Sequence, residues 1–145
     1  ISLRYFNVYG PKQNPDSEYS ALIPKFVKLI NKGINPTIYG DGEQTRDFTF
    51  VSDVVNANVL AVNTNNKKCF GNVFNIGAGK NISVNEAAKR VIELSKKDIK
   101  PIYGKAVIEA RDSLADNRKA KEFFGWIPEV GFEEGLKRTY EYFTK

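Results

Sequence analysis

Leu3-Arg-Tyr-Phe-Asn-Val-Tyr-Gly-Pro11 decides how the rest of the chain is read. Leu3 to Phe6 alternates weakly, as a buried strand does, and Gly10-Pro11 stops the run in a turn. A polar loop, Lys12 to Glu18, follows. From Tyr19 onward, Leu22, Ile23, Phe26, Val27 and Ile30 fall at helical spacing until Gly33 and Pro36 end the pattern. Strand followed by helix then continues along the chain. Thr37-Ile-Tyr39 is a short strand closed by Gly40-Asp-Gly42, and Phe48 to Val51 is extended. Ser52 is positioned to cap a helix carrying Val54, Val55, Val59 and Val62. Asn72 to Ile76 is a strand, and Ser83 with Glu86 has capping-box spacing ahead of Val84, Ala87, Ala88, Val91 and Ile92. A strand near Ile102 and a helix from Asn117 to Phe124, closed by Gly125-Trp126-Ile127-Pro128, come next. A final helix puts Phe132, Leu136, Tyr140 and Phe143 on one face. This alternation predicts an α/β fold.

Composition narrows the function by exclusion. With 145 residues and 41% hydrophobic content the chain can bury a core, and no repeat, low-complexity tract or linker divides it, so 1–145 reads as a single domain. The single cysteine, Cys69, cannot form an internal disulfide framework. With no histidine to activate it, it reads as a small buried or half-exposed side chain rather than a nucleophile. The lack of histidine also removes the commonest metal ligand and general base, so no metal site is expected. No run of about 18 apolar residues suggests a membrane span. The start has no signal-peptide pattern; it lacks Met and reads like a strand entered midway. Net charge +5 permits a polyanionic partner, but the lysines are scattered, and Arg118-Lys-Ala-Lys121 reads as a solvated helix face. No stretch interleaves basic and aromatic residues at the spacing of stacked bases, so no nucleic acid is expected as partner.

A second block, Tyr39-Gly-Asp-Gly-Glu-Gln-Thr-Arg-Asp-Phe48, carries the most specific signal. With Leu3–Pro11 it resembles the C-terminal part of the extended short-chain dehydrogenase/reductases, in particular the NAD-dependent nucleotide-sugar 4-epimerases. Ala110-Arg-Asp-Ser-Leu-Ala-Asp116 and Gly125-Trp126 are similar to that family's closing segment. The resemblance implies a Rossmann-type α/β enzyme in which residues 1–10 form the last part of the Rossmann sheet. It also implies that the NAD-binding glycine loop and the catalytic Tyr-x-x-x-Lys lie upstream, so that no catalytic residue is expected in this chain. Neither Tyr5 nor Tyr9 has a lysine four residues on. The implied ligand is a UDP-hexose and the implied cofactor NAD, not expected to bind this fragment tightly. Intact members are implied to be cytoplasmic homodimers.

A nucleotide sugar presents a flat base, a ribose, a diphosphate and a hexose, and a site for it needs an aromatic face, acceptors and cationic donors. By resemblance, Tyr5 contacts the cofactor and Asn7 bonds the diphosphate. Leu22 lies where a helix start meets the uridine phosphates, which helix termini favour. Thr37 and Tyr39 hold the uracil, Tyr39 by stacking, and Arg46 clamps the diphosphate. Glu109 accepts from the ribose, and Ser113 faces the hexose C2 substituent, where a small residue leaves room for an N-acetyl group. Read singly, these residues have plainer roles: a packed strand residue for Tyr39, a surface ion pair with Asp47 for Arg46, a turn former for Asn7, and backbone bonding for Ser113.

The family's usual arginine before its acidic residue is Ala106 here, which leaves Lys105 or Arg111 as substitutes. Phe74-Asn-Ile-Gly77-Ala-Gly79-Lys80 imitates a nucleotide loop but lacks the third glycine of a dinucleotide fingerprint, at Ile82. As a P-loop it lacks the first glycine, at Phe74, and the hydroxyl after Lys80, at Asn81, so it reads as a strand-to-helix turn. Epimerase is the expected activity of the intact enzyme, with dTDP- or UDP-sugar 4,6-dehydratase or decarboxylase as the alternative within the superfamily. From another class, a stand-alone nucleotide-binding module is supported only by charge and by the 12% aromatic content.

Overall fold

A computed structural model describes residues 1–17 and 22–145. Its strands are short and paired two by two. β1 (Ser2–Tyr5) runs parallel to β6 (Val73–Ile76), with Leu3 opposite Phe74 and Tyr5 opposite Ile76. β2 (Val8–Tyr9) is parallel to β5 (Thr49–Phe50), and β3 (Thr37–Tyr39) to β8 (Ile102–Gly104). β4 (Thr45–Arg46) is antiparallel to β7 (Ile82–Ser83). Parallel partners distant in sequence, joined through helices, are the α/β arrangement that the alternation predicted.

Two cores hold these pairs. In the first, α1 (Leu22–Asn31), α3 (Val84–Ser95) and α5 (Phe132–Thr144) pack together. Ile23, Val27, Ile30, Ala87, Val91 and Leu136 are fully buried there. The periodic stripes read from the sequence are the faces that meet. α1 stops where Gly33, at φ 76°, lets Ile34 N–H reach Leu29 O at 2.9 Å. Ser83 caps α3 as its spacing predicted, its Oγ accepting from Glu86 N–H at 3.1 Å. Against these helices lie Tyr9, Phe48, Phe50 and Phe132, with Tyr9 edge-on to Phe50 at 5.6 Å. Gly135 of α5 is needed there, because a Cβ would lie 2.3 Å from Tyr9 Oη.

The second core sits on β6. Phe74 and Ile76 pack against α2 (Val51–Asn63) and α4 (Arg118–Phe124), with Trp126 and Cys69 fully buried beside them. Expectations for α2 and for Lys119 fail here. Ser52 does not cap α2: the helix follows directly from β5, Phe50 occupies the cap position, and no side chain caps it. Its buried side is Asp53, Val54, Ala57 and Ala61, whereas Val55, Val59 and Val62 face outward, Val62 at 84% exposure. Two of the four inward residues are alanines, and hydropathy alone ranks valine above them. Lys119 is the other correction, since it is not on a solvated face. Its Nζ donates to Asn72 Oδ1 at 2.8 Å and sits 4.9 Å from the Phe74 ring centroid.

β1 takes no second strand among the described residues, and Tyr5, Val59 and Val62 are exposed beside it. No described helix is long and apolar enough to cross a membrane.

Trp126 ties the second core to α2 by donating its indole N–H to Asp53 O at 2.9 Å. Trp126→Ala is expected to lower the unfolding free energy by about 3–5 kcal/mol. Val62→Ala should change it by less than about 0.5 kcal/mol. Urea denaturation of the two variants checks this; equal effects would mean that α2 packs by the valine stripe after all.

Candidate functional site

Tyr39, the last residue of β3 in the β3–β8 pair, forms one wall of a cleft. Thr37 and Tyr39 alternate on the exposed face of β3, and Gly104 opposite them has no side chain in the way. A Cβ there would come within 3.2 Å of Tyr39 Cδ1 and 3.3 Å of Thr37 Cγ2. Tyr39 is 54% exposed, so its ring is a free face rather than a packed strand residue. The turn after it is fixed from α3: Asn85 donates Nδ2–H to Asp41 O at 2.9 Å and its N–H to Gly42 O at 3.0 Å. Gly42, at φ 76°, could carry no Cβ without meeting Asn85 Oδ1 at 2.1 Å.

Residues 106–111 cross in front of this wall and enclose a cleft of about 210 Å³ with Tyr39, Gly40 and Gln44. Glu109, which lines it, meets Arg46, Oε2 to Nη2, at 2.6 Å. The guanidinium also donates through Nη1 to Thr45 O at 2.7 Å and Arg111 O at 3.3 Å. Its side chain is only 14% exposed. The expected ion pair between Arg46 and Asp47 is therefore replaced by one between two predicted ligand-binding residues. Gln44, buried behind them, donates Nε2–H to both Tyr39 O (2.9 Å) and Glu109 Oε1 (3.1 Å). At the rim, Arg111 Nη1 pairs with Asp41 at 2.8 and 3.0 Å and holds that carboxyl below the usual range.

Asp47 points the other way. It is fully buried, and its carboxylate accepts from Ala78 N–H at 2.8 Å, Gly79 N–H at 2.9 Å and Ala115 N–H at 3.0 Å. Burial pushes its carboxyl upward, while the three amides pull it down. The glycine turn that imitates a nucleotide loop thus has two of its amides occupied by an internal anion. It does not fit a dinucleotide pyrophosphate.

The sequence profile of the NAD dependent epimerase/dehydratase family matches residues 1–77. The chain belongs to this family. It is 41% identical over 141 residues to a putative UDP-glucose 4-epimerase of Methanocaldococcus jannaschii, covering 94% of this chain and 43% of that protein. It is 35% identical over 150 residues to a UDP-N-acetyl-alpha-D-glucosaminuronate decarboxylase of Bacillus cytotoxicus, covering 99% of this chain and 46% of that one. Among solved structures, the UDP-glucose 4-epimerase of Thermotoga maritima with UDP-glucose superposes with a TM-score of 0.90 at 43% identity. The alignment covers 97% of this chain and 44% of that enzyme. This family member therefore spans less than half the length of the relatives it matches, and those relatives carry out more than one reaction on UDP-sugars.

Of the predicted site residues, Thr37, Tyr39, Arg46 and Glu109 come together at or beside the cleft. Ser113 is half-buried on the segment running beside β4, its N–H donating to Thr45 O at 3.1 Å. Asn7 is exposed at the end of β1 with φ 22°, and its carbonyl accepts from Thr49 N–H at 3.2 Å; it does not line the cleft. Tyr5 is exposed, its hydroxyl donating to Asn58 Oδ1 at 3.0 Å, away from the cleft. Leu22 opens α1 half-buried against the first core, and the expected helix start at Tyr19 to Ala21 lies outside the described residues. Ala106 lines the cleft where the family's arginine is expected; of the two substitutes, Arg111 also lines it and Lys105 does not. Gln44, Asp41, Asn85 and Asp47 were missed as site builders. All but Asn85 lie inside the block Tyr39–Phe48, and their roles depend on partners more than thirty residues away. Among the described residues no His, Cys, Asp and Glu side chains group to hold a metal.

Gly77 makes room for the buried carboxylate: a Cβ there would lie 2.3 Å from Ala115 Cβ and 2.8 Å from Asp47 Oδ2. Gly77→Ala is expected to cost about 1–3 kcal/mol of stability, as overpacking of a filled interior does. Gly77 is not in the left-handed region, so backbone strain does not enter its cost. A Gly77→Ala midpoint in thermal unfolding equal to that of the unaltered protein would show that the contact at Gly77 carries no weight.

Proposed function

We propose that this chain forms the UDP-sugar-binding part of an NAD-dependent nucleotide-sugar 4-epimerase. The observation that carries the reading is that the free Tyr39 face and the Glu109 carboxylate line one cleft, with the Arg46 guanidinium paired to Glu109. Tyr39 would stack on the uracil, with Thr37 beside it supplying backbone bonds. Arg46 would bind the diphosphate through the part of its fork left free by its three bonds. Glu109, held by Gln44 and Arg46, would accept from the ribose hydroxyls. Arg111 would supply the second cation in place of the residue at Ala106, because it lines the same cleft. Asn7 and Leu22 would join from the far side of the ligand, beyond the diphosphate.

NAD would serve the whole enzyme, with Tyr5 as this chain's contact. Hydride exchange at the sugar C4 would come from the nicotinamide, and none of the residues named here takes part in it. On this reading the chain binds ligand without turning it over, and the whole enzyme is a cytoplasmic homodimer. Decarboxylation or 4,6-dehydration is the second reading, favoured by the likeness to the Bacillus cytotoxicus decarboxylase; the Arg4-Tyr-Phe-Asn7 wording favours epimerisation.

Calorimetry with UDP tests the site. Arg46→Ala should weaken binding by about 1.5–3 kcal/mol, or about 10- to 150-fold, the contribution of a hydrogen bond to a charged group. An unchanged dissociation constant would remove Arg46 from the site. Ser113 sets the sugar: being small, it should leave space for UDP-N-acetylhexosamines as well as UDP-hexoses. Ser113→Tyr is expected to exclude the acetylated ligand and spare the plain one. Equal affinity changes for both would place the sugar elsewhere.

A further inference from the structure

Asp47 is adjacent to the candidate site but has no part in contacting the ligand as read above, and its surroundings ask for another role. Residues 111–115 run beside β4 in a parallel bridge, Thr45 with Asp112. Thr45 N–H donates to Arg111 O at 2.9 Å, and Ser113 N–H donates to Thr45 O at 3.1 Å. The next amide in register, Ala115 N–H, does not continue to a main-chain carbonyl. It donates to the Asp47 carboxylate, at 3.0 Å. The same carboxylate receives Ala78 and Gly79 N–H from the turn after β6. One buried side chain thus ends the ladder that carries Arg111 and Ser113 and joins it to the sheet of the second core. Arg46, the residue before it, turns to the opposite side of the chain and pairs with Glu109, which lines the cleft.

We propose that Asp47 is a positioning residue for the nucleotide-sugar site: its carboxylate, acting as the built-in anion of the glycine turn, sets where residues 109–113 stand relative to Arg46. This rests on the UDP-sugar reading of the cleft. The chemistry is that of a charge-assisted acceptor for several amides in a site closed to water, where no neutral side chain of the same shape can satisfy all three donors. An asparagine keeps one oxygen and turns its NH₂ toward amides that also donate. Either the turn or Ala115 is then released.

Asp47→Asn, compared with Asn117→Ala, separates positioning from mere support. Asn117 holds the same turn by donating to Gly77 O at 2.8 Å but does not touch Asp47. Measurements are made well below the unfolding temperature of each variant. Asp47→Asn should weaken UDP binding by about tenfold or more, the consequence of misplaced ligand groups. Asn117→Ala should lower the unfolding temperature and leave the dissociation constant unchanged. In two-dimensional NMR spectra without ligand, Asp47→Asn should shift the amide signals of Glu109 and Ser113 as well as those of Ala78, Gly79 and Ala115. Unmoved Glu109 and Ser113 signals would overturn the proposal, whatever UDP does. So would a loss of affinity in Asn117→Ala equal to that in Asp47→Asn. If the unaltered protein fails to bind UDP, the reading of the ligand falls, and the Glu109 and Ser113 signals alone decide whether Asp47 positions that segment.

Discussion

Three backbone amides, from Ala78, Gly79 and Ala115, converge on the carboxylate of Asp47 in the interior of this chain, and the arrangement around them follows from that demand. A buried carboxylate is costly unless its lone pairs are met, and a buried amide is costly unless it has an acceptor. Here each satisfies the other. The turn after β6 must be Gly77-Ala78-Gly79, because a side chain at Gly77 would collide with both Ala115 and Asp47. The segment from Arg111 to Ala115 must pass close by, because its last amide is needed. That path takes Glu109 across the mouth of the β3–β8 wall and into contact with Arg46.

The cleft itself is charged but internally compensated. Arg46 is paired with Glu109, and Arg111 with Asp41, so each cation is held by a carboxylate that defines its direction. Removing one partner would leave its mate without compensation, most seriously at Arg46, whose side chain is the less exposed of the two cations. On the proposed UDP-sugar reading, such pairing would suit a ligand bearing both a diphosphate and hydroxyl groups, the cation serving the phosphates and the carboxylate the ribose. Gln44 ties the two halves together by reaching Tyr39 O and Glu109 with one amide group.

Much of the fold was legible because its helices are amphipathic. The stripes on α1, α3 and α5 name the first core almost residue by residue, and Ser83 caps where its spacing says it should. α2 was misread because its inner face is built on Asp53, Val54, Ala57 and Ala61, while Val55, Val59 and Val62 point out, so hydropathy alone picks the wrong side. β2, β4 and β7 went unseen because a two-residue strand has no periodicity to detect. Lys119 was misplaced for a related reason, since a cation over an aromatic ring looks in sequence like any solvated lysine.

The block Tyr39–Phe48 by itself marked the family resemblance, and through it Tyr39 and Arg46 as candidate ligand-facing residues. The sequence also showed that the glycine turn at Gly77–Gly79 departs from both nucleotide-loop patterns. What occupies that turn, and which carboxylate meets Arg46, was decided only in three dimensions. Asp47 stands next to Arg46 in the chain and invites pairing with it, yet adjacent residues on an extended strand point to opposite sides. Asp47 therefore turns inward to the amides of Ala78, Gly79 and Ala115, and Arg46 finds its partner in Glu109, a residue that only the folded chain brings near.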